Sequence, residues 1–142
     1  MSGVFAGKVA LLLFFTVRGA VLTKVIKFYN SEMKKVLFSK QVKKAIDGET
    51  ADIQRKLGVL LRALVQGEIL EMPESRSMVG YPGLKELRVR DVRGQVRVFY
   101  CLPTADYVFV LHLFRKNTQK TPLNEIRTAL QRLKVMKEDL DG

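Results

Sequence analysis

The sequence predicts an α+β domain: a twisted antiparallel sheet packed against an N-terminal helical hairpin, with a C-terminal helix. Three observations carry that expectation. Apolar residues recur at helical spacing in two stretches between Met33 and Gly67. Three strand-like runs then follow in quick succession from Lys85 to Phe114, and Thr121-Pro122 opens a last helical pattern. The links between the runs are too short for helical crossovers, which favours an antiparallel meander.

The chain begins with an oddity, "GKVALLLFFTVRGA", in which seven apolar residues, Val9 to Phe15, stand between Lys8 and Arg18. A membrane span needs about 20 such residues. A signal peptide needs a more basic start and a small-residue cleavage site, neither of which is present. Residues 1–23 therefore read as an apolar N-terminal extension of unknown role, and the domain itself as residues 24–137. Its first strand is expected at "KVIKFY", Lys24 to Tyr29, where Lys27 and Tyr29 alternate with Ile26 and Phe28.

From Met33 to Ile46 the apolar residues Val36, Leu37, Val42 and Ile46 are set among Lys34, Lys35, Lys40, Lys43 and Lys44, which predicts a basic amphipathic helix broken by Asp47-Gly48. Thr50 is a plausible N-cap for the second helix, in which Ile53, Leu57, Leu60, Leu61 and Leu64 share a face up to Gly67. With two prolines and two glycines, Glu71 to Gly83 reads as a loop. Strands are expected at Lys85–Arg90, Gln95–Leu102 and Tyr107–Phe114, with turns at Asp91–Gly94 and Pro103–Asp106. The third is apolar on both faces and so belongs inside the sheet. In the final helix Thr121 is the expected cap, Pro122 the first helical residue, and Leu123, Ile126, Leu130 and Leu133 the apolar stripe; residues 138–142 form an acidic tail.

At 142 residues and 47% apolar content, the chain has the size and composition of one globular domain. Its 25 Lys and Arg against 14 Asp and Glu give a formal charge of +11 and a pI near 10.0, which favours a polyanionic partner. The excess is concentrated between Lys85 and Lys137, with 12 basic against 4 acidic residues. One cysteine, Cys101, excludes an internal disulfide, and one histidine, His112, leaves no Cys/His spacing for zinc. No metal or cofactor is expected, and the cysteine usage suits a cytoplasmic protein with no membrane partner. Cys101 reads as a packed small residue.

Strand alternation aims the charges. In "KELRVRD" Glu86, Arg88 and Arg90 share one face, opposite Leu87 and Val89; in "QVRVFYCL" Arg97 lies with Gln95 and Phe99. With the apolar set on the helical hairpin, Arg88, Arg90 and Arg97 line the other side. The third strand ends in "RKNTQK", bringing Arg115, Lys116, Thr118, Gln119 and Lys120 to the rim of that face, just before a helix N-terminus. Solvated surface charge is the plainer account of these residues. For His112, within the strand, a hydrogen-bonded core histidine is the plainer account and an acid/base role the alternative.

"LKELRVRDVRGQVRVFY" and "LHLFRKNTQKTPLNEIRTALQRL" resemble the HigB-like branch of the RelE/ParE toxin superfamily, over roughly Lys24 to Met136. The resemblance implies a type II toxin that cleaves mRNA, often on the ribosome, and so causes growth arrest. It implies as partner a HigA-like antitoxin with a helix-turn-helix domain, and contact with operator DNA only through the toxin–antitoxin complex. It also implies site residues: Arg97 as phosphate clamp, Arg88 and Arg90 as backbone-positioning cations, Lys116 and Lys120 as the basic rim, and Thr118 and Gln119 as donors to ribose or base.

The chemistry is consistent with those residues. Metal-independent RNA cleavage needs an in-line 2′-hydroxyl attack, stabilisation of the phosphorane and a proton for the 5′-oxygen. A lysine among like charges gives up its proton more easily, which makes Lys120 a candidate for proton transfer. Two other functions share these features: gyrase inhibition on a ParE-like scaffold, and passive nucleic-acid binding, for which only Phe99 offers an aromatic platform on the basic face.

Overall fold

The structure, a computed structural model, describes residues 33–142; the strand expected at Lys24–Tyr29 and the extension before it lie outside the described residues. Ser39 divides what the helical spacing joins. Its backbone is extended, at φ −62° and ψ 151°, and its hydroxyl accepts from the Val42 N–H and donates to the Leu111 carbonyl. The helix expected from Met33 therefore begins only at Lys40. Strand β1 (Lys35–Phe38) precedes it, and helix α1 (Lys40–Asp47) follows. Val36, Leu37 and Phe38 are three apolar residues in a row, and pairing them at the sheet edge satisfies their backbone while covering the neighbouring strand.

Helix α2 (Ala51–Val65) starts as its sequence predicts, with the Thr50 hydroxyl accepting from the Ile53 N–H at 3.3 Å. It ends just before Gly67, whose φ of 86° favours glycine. A short strand, β2 (Ser75–Ser77), occupies the segment read as loop. Then come β3 (Lys85–Asp91), β4 (Gly94–Thr104) and β5 (Tyr107–Lys116), within a residue or two of the expected bounds. Helix α3 (Leu123–Asp141) absorbs most of the acidic tail as its last turn. Pro122 stands at its N-cap position, and the Thr121 hydroxyl faces Glu86 on β3 instead of capping the helix.

The sheet runs β1-β5-β4-β3-β2. Strands β3 to β5 are antiparallel as expected and β2 adds to β3 in the same sense, but β1 pairs with β5 in parallel, so the sheet is mixed. The α1–α2 hairpin covers one face through Val42, Ile53, Leu57 and Leu64, which pack on Leu87, Val89, Val96, Val98, Val108 and Val110. Helix α3 covers part of the other through Ile126 and Ala129 on Phe99, Cys101, Phe109 and Leu111. Each Val, Leu, Ile or Phe among them taken fully out of water contributes about 1.5–3 kcal/mol relative to exposure. Towards the β3–β4 turn, that second face carries arginines in place of apolar residues.

Candidate functional site

Cross-strand register assembles the basic face. Arg88 on β3 lies directly opposite Arg97 on β4, Arg90 opposite Gln95, and Lys116 on β5 opposite Gln95 from the other side. Like charges directly opposed in a sheet repel, so a compensating group is needed. It is Glu86, with no exposed surface at all. Its Oε1 lies 3.1 Å from Arg76 Nε, 3.4 Å from Arg97 Nε and 4.0 Å from Arg88 Nε, while Oε2 is 3.5 Å from the Thr121 hydroxyl.

Of the three arginines, only Arg76 donates a directed hydrogen bond to that carboxylate; the Thr121 hydroxyl donates to its other oxygen. Arg97 is 3% exposed, and among the described residues its Nε, like that of Arg88, has no hydrogen-bond acceptor. Gln95 Oε1 accepts from Arg97 Nη2, and the Met72 sulfur from Arg88 Nη1 at 3.2 Å. Burial is the main influence lowering the pKa of Arg97; nearby Arg88, Arg76 and Arg90 add to it, and Glu86 opposes it. A guanidinium remains charged under such pressure. The result is a cation fixed on a rigid strand, with donors still to satisfy.

Lys116 belongs to the same field. Burial first, then the charge of Arg97, lower its pKa; Glu86 raises it, and Arg76 and Arg88 lower it by less. Its ammonium donates to the Gln119 carbonyl at 2.6 Å, and the Thr118 hydroxyl donates to the Lys120 carbonyl at 2.6 Å. The Thr118–Lys120 rim is thus folded on itself and exposed. Lys116 is drawn towards the neutral form because it is still within the strand and half-buried beside Arg97, whereas Lys120 lies on the exposed rim.

The structure does not bring Arg115 to this group. Opposite Val96 in register, it faces the hairpin, with Nη2 2.6 Å from Glu49 and 3.0 Å from Asp91, which also takes Nη1 at 3.1 Å. There it ties the α1–α2 link to the β3–β4 turn. Its guanidinium and the Thr50 hydroxyl hold the Asp91 carboxyl well below the usual carboxylate range. Arg90 lies on the expected face but is exposed.

His112 is held at both nitrogens: Nδ1 is 3.0 Å from Arg132 Nη1, and Nε2 is 2.7 Å from Glu125 Oε1. A guanidinium only donates, so Nδ1 accepts and the Nε2–H donates to Glu125. The histidine therefore pins α3 to β5, flanked by Phe99 and Phe114. Cys101 is buried, which pushes its thiol up to about 11 and leaves it a packing residue. Among the described residues no group of His, Cys, Asp and Glu side chains is arranged to hold a metal ion.

Arg76 and the central position of Glu86 are what sequence reasoning missed. Alternation does place Glu86 with the arginines, a signal that a counter-charge is near. Arg76 carries no local signal, since its strand exists only through pairing with β3. Arg88 and Arg97 also line an open cleft of about 550 Å³, together with Arg55, Lys56 and Val59 of α2.

A family model of phage-derived, Gp49-like proteins matches residues 44–134, more than half of the chain and all of the basic face. The chain belongs to the Gp49-like family. No curated protein sequence matches this Gp49-like chain. Among solved structures, a double mutant of E. coli toxin RelE in its free state superposes with a TM-score of 0.54 at 15% identity, covering 70% of this chain and 97% of that one. At that identity the likeness concerns the fold, and it bears out the RelE/ParE-like architecture expected from sequence. No helix among the described residues is long and apolar enough to cross a membrane.

Proposed function

We propose that this Gp49-like protein is the toxin of a type II toxin–antitoxin system, an endoribonuclease that cleaves mRNA without a metal ion, on the ribosome, and blocks translation. Arg97 carries the reading: a nearly fully buried guanidinium, unsatisfied at Nε, facing Arg88 across the strands. Its Nε is turned towards Glu86 at 3.4 Å, so a phosphate oxygen would be held by the outer guanidinium nitrogens of Arg97 and Arg88. The RelE-like fold supports the toxin assignment, and the "RKNTQKTP" segment supports the HigB-like branch.

In this mechanism Arg97 and Arg88 clamp the scissile phosphate through planar donor forks. They stabilise the phosphorane formed when the 2′-oxygen attacks in line, and they do so without reorganising, since their positions are fixed before reaction. The P–5′-oxygen bond breaks as the 2′-oxygen–P bond forms: the Lys116 ammonium, made a stronger acid by its lowered pKa, gives its proton to the departing 5′-oxygen, and the 2′-hydroxyl proton passes to water. Lys120, Thr118, Gln119 and Arg90 contact the RNA at the exposed rim, and the ribosome orients the strand. The partner is a HigA-like helix-turn-helix antitoxin, through which operator DNA is bound.

Phe99 weighs against passive nucleic-acid binding: the one aromatic expected on the basic face is wholly buried under α3 and presents no stacking surface. Expression of the protein with and without its co-encoded antitoxin, followed by translation and supercoiling assays, tests the reading. Antitoxin-reversible growth arrest with translation blocked and supercoiling intact supports it. Blocked supercoiling with translation intact would make the protein a gyrase inhibitor.

A further inference from the structure

We infer that Glu86 is the positioning residue of the phosphate-binding face, a buried counter-charge that holds Arg76, Arg88 and Arg97 together so that their remaining donors converge on one phosphate. The inference rests on the ribonuclease reading for its chemistry, but on the geometry of the cluster for its existence.

Three guanidiniums from three different strands reach one carboxylate oxygen within 4.0 Å. Without it Arg88 and Arg97, directly opposed in register, would repel and splay. With it the cluster keeps two surplus positive charges, an electrostatic match for a dianionic phosphorane. Glu86 itself has no exposed surface, so it does not touch substrate and acts only through the arginines. Its other oxygen faces Thr121 at the start of α3, which ties the cluster to the link carrying the rim.

The same carboxylate also influences the proton-transferring lysine. The charges acting on Lys116 come from Arg97 on β4, Arg88 and Glu86 on β3, and Arg76 on β2. Of these only Glu86 favours the ammonium; the arginines disfavour it. Removing one or the other therefore moves Lys116 in opposite directions, which a purely structural role for Glu86 would not do.

The test compares the full-length protein with Glu86→Gln, Glu86→Asp and Arg76→Gln. Two readouts are needed: titration of the Lys116 side chain by NMR, and the pH–rate profile of RNA cleavage. Expected for Glu86→Gln are a Lys116 titration shifted to lower pH and kcat reduced roughly tenfold to a hundredfold with a smaller change in KM, because the clamp is misplaced. Expected for Glu86→Asp, which keeps the charge, is partial recovery of both. Arg76→Gln removes a half-exposed partner, leaves the core intact, and should shift the Lys116 titration upward.

Unchanged Lys116 titration in both Glu86→Gln and Arg76→Gln would overturn the inference. So would an unchanged kcat in a folded Glu86→Gln protein whose parent cleaves RNA. If Glu86→Gln fails to fold, an unmoved titration in Arg76→Gln is enough to reject it. A parent that cleaves no RNA would reject the ribonuclease reading instead, while the titrations still decide whether Glu86 sets the charge of the cluster.

Discussion

Arg88 and Arg97 face each other across β3 and β4, and both direct Nε towards the buried carboxylate of Glu86. A sheet built for stability alone would place apolar or oppositely charged residues at such a pair. Here the repulsion is retained and balanced internally, which leaves concentrated positive charge on a rigid surface. A polyanion is the ligand that such a surface fits.

Arg97→Ala should abolish RNA cleavage, with a loss of at least about a hundredfold in kcat, as expected when a fixed transition-state donor is removed. Arg97→Lys should recover little, since an ammonium lacks the planar fork. Antitoxin binding, measured by calorimetry, should persist in both. Full cleavage by Arg97→Ala would take this residue out of the site.

Lys116→Ala should slow cleavage by about tenfold or more, the effect of losing one charge-assisted contact of roughly 1.5–3 kcal/mol from the transition state. Lys120→Ala should have a smaller effect that fades as salt is raised, because its side chain is exposed. Single-turnover rates over a salt series separate the two. Equal effects would return Lys120 to the role expected from sequence.

His112→Gln should retain more thermal stability than His112→Ala, because a carboxamide both accepts and donates and so preserves part of the bridge between Arg132 and Glu125. Cleavage should track the folded fraction in each variant. Equal loss of cleavage in two well-folded variants would instead mark His112 as an acid or base.

Asp91 supplies a pH test of the fold. Its pKa in the folded chain is depressed from the ordinary 3.8, chiefly by Arg115. The associated stability is therefore present above 3.8 and is lost as pH falls through the folded value. Thermal unfolding of the parent and Asp91→Asn should differ most near about pH 7, and the gap should narrow as pH drops towards about 2. A gap that stays constant would mean that the Asp91–Arg115 pair contributes nothing through charge.

Much of this was legible in the sequence, because it depends on period. Alternation in "KELRVRD" and "QVRVFYCL" placed Arg88 and Arg97 on one face, and the structure keeps them there. The Thr50 cap and the α2 stripe depend on neighbours a few residues apart and were equally readable. Long-range pairing was not. Nothing local to Lys35–Phe38 announces that β5 will accept it in parallel, or that the Ser39 hydroxyl will stop the helix by bonding Leu111. Arg115 shows the same limit: the strand end gives its position but not the acids waiting on the hairpin side.

Mapping the 5′ ends of an mRNA incubated with the purified protein, with and without programmed ribosomes, beside Arg97→Ala, decides whether the basic face cuts RNA. The prediction is discrete cuts with the parent on ribosome-bound message and none with Arg97→Ala. Intact mRNA under both conditions, with a folded parent, would contradict the claim that this basic face is a nuclease site.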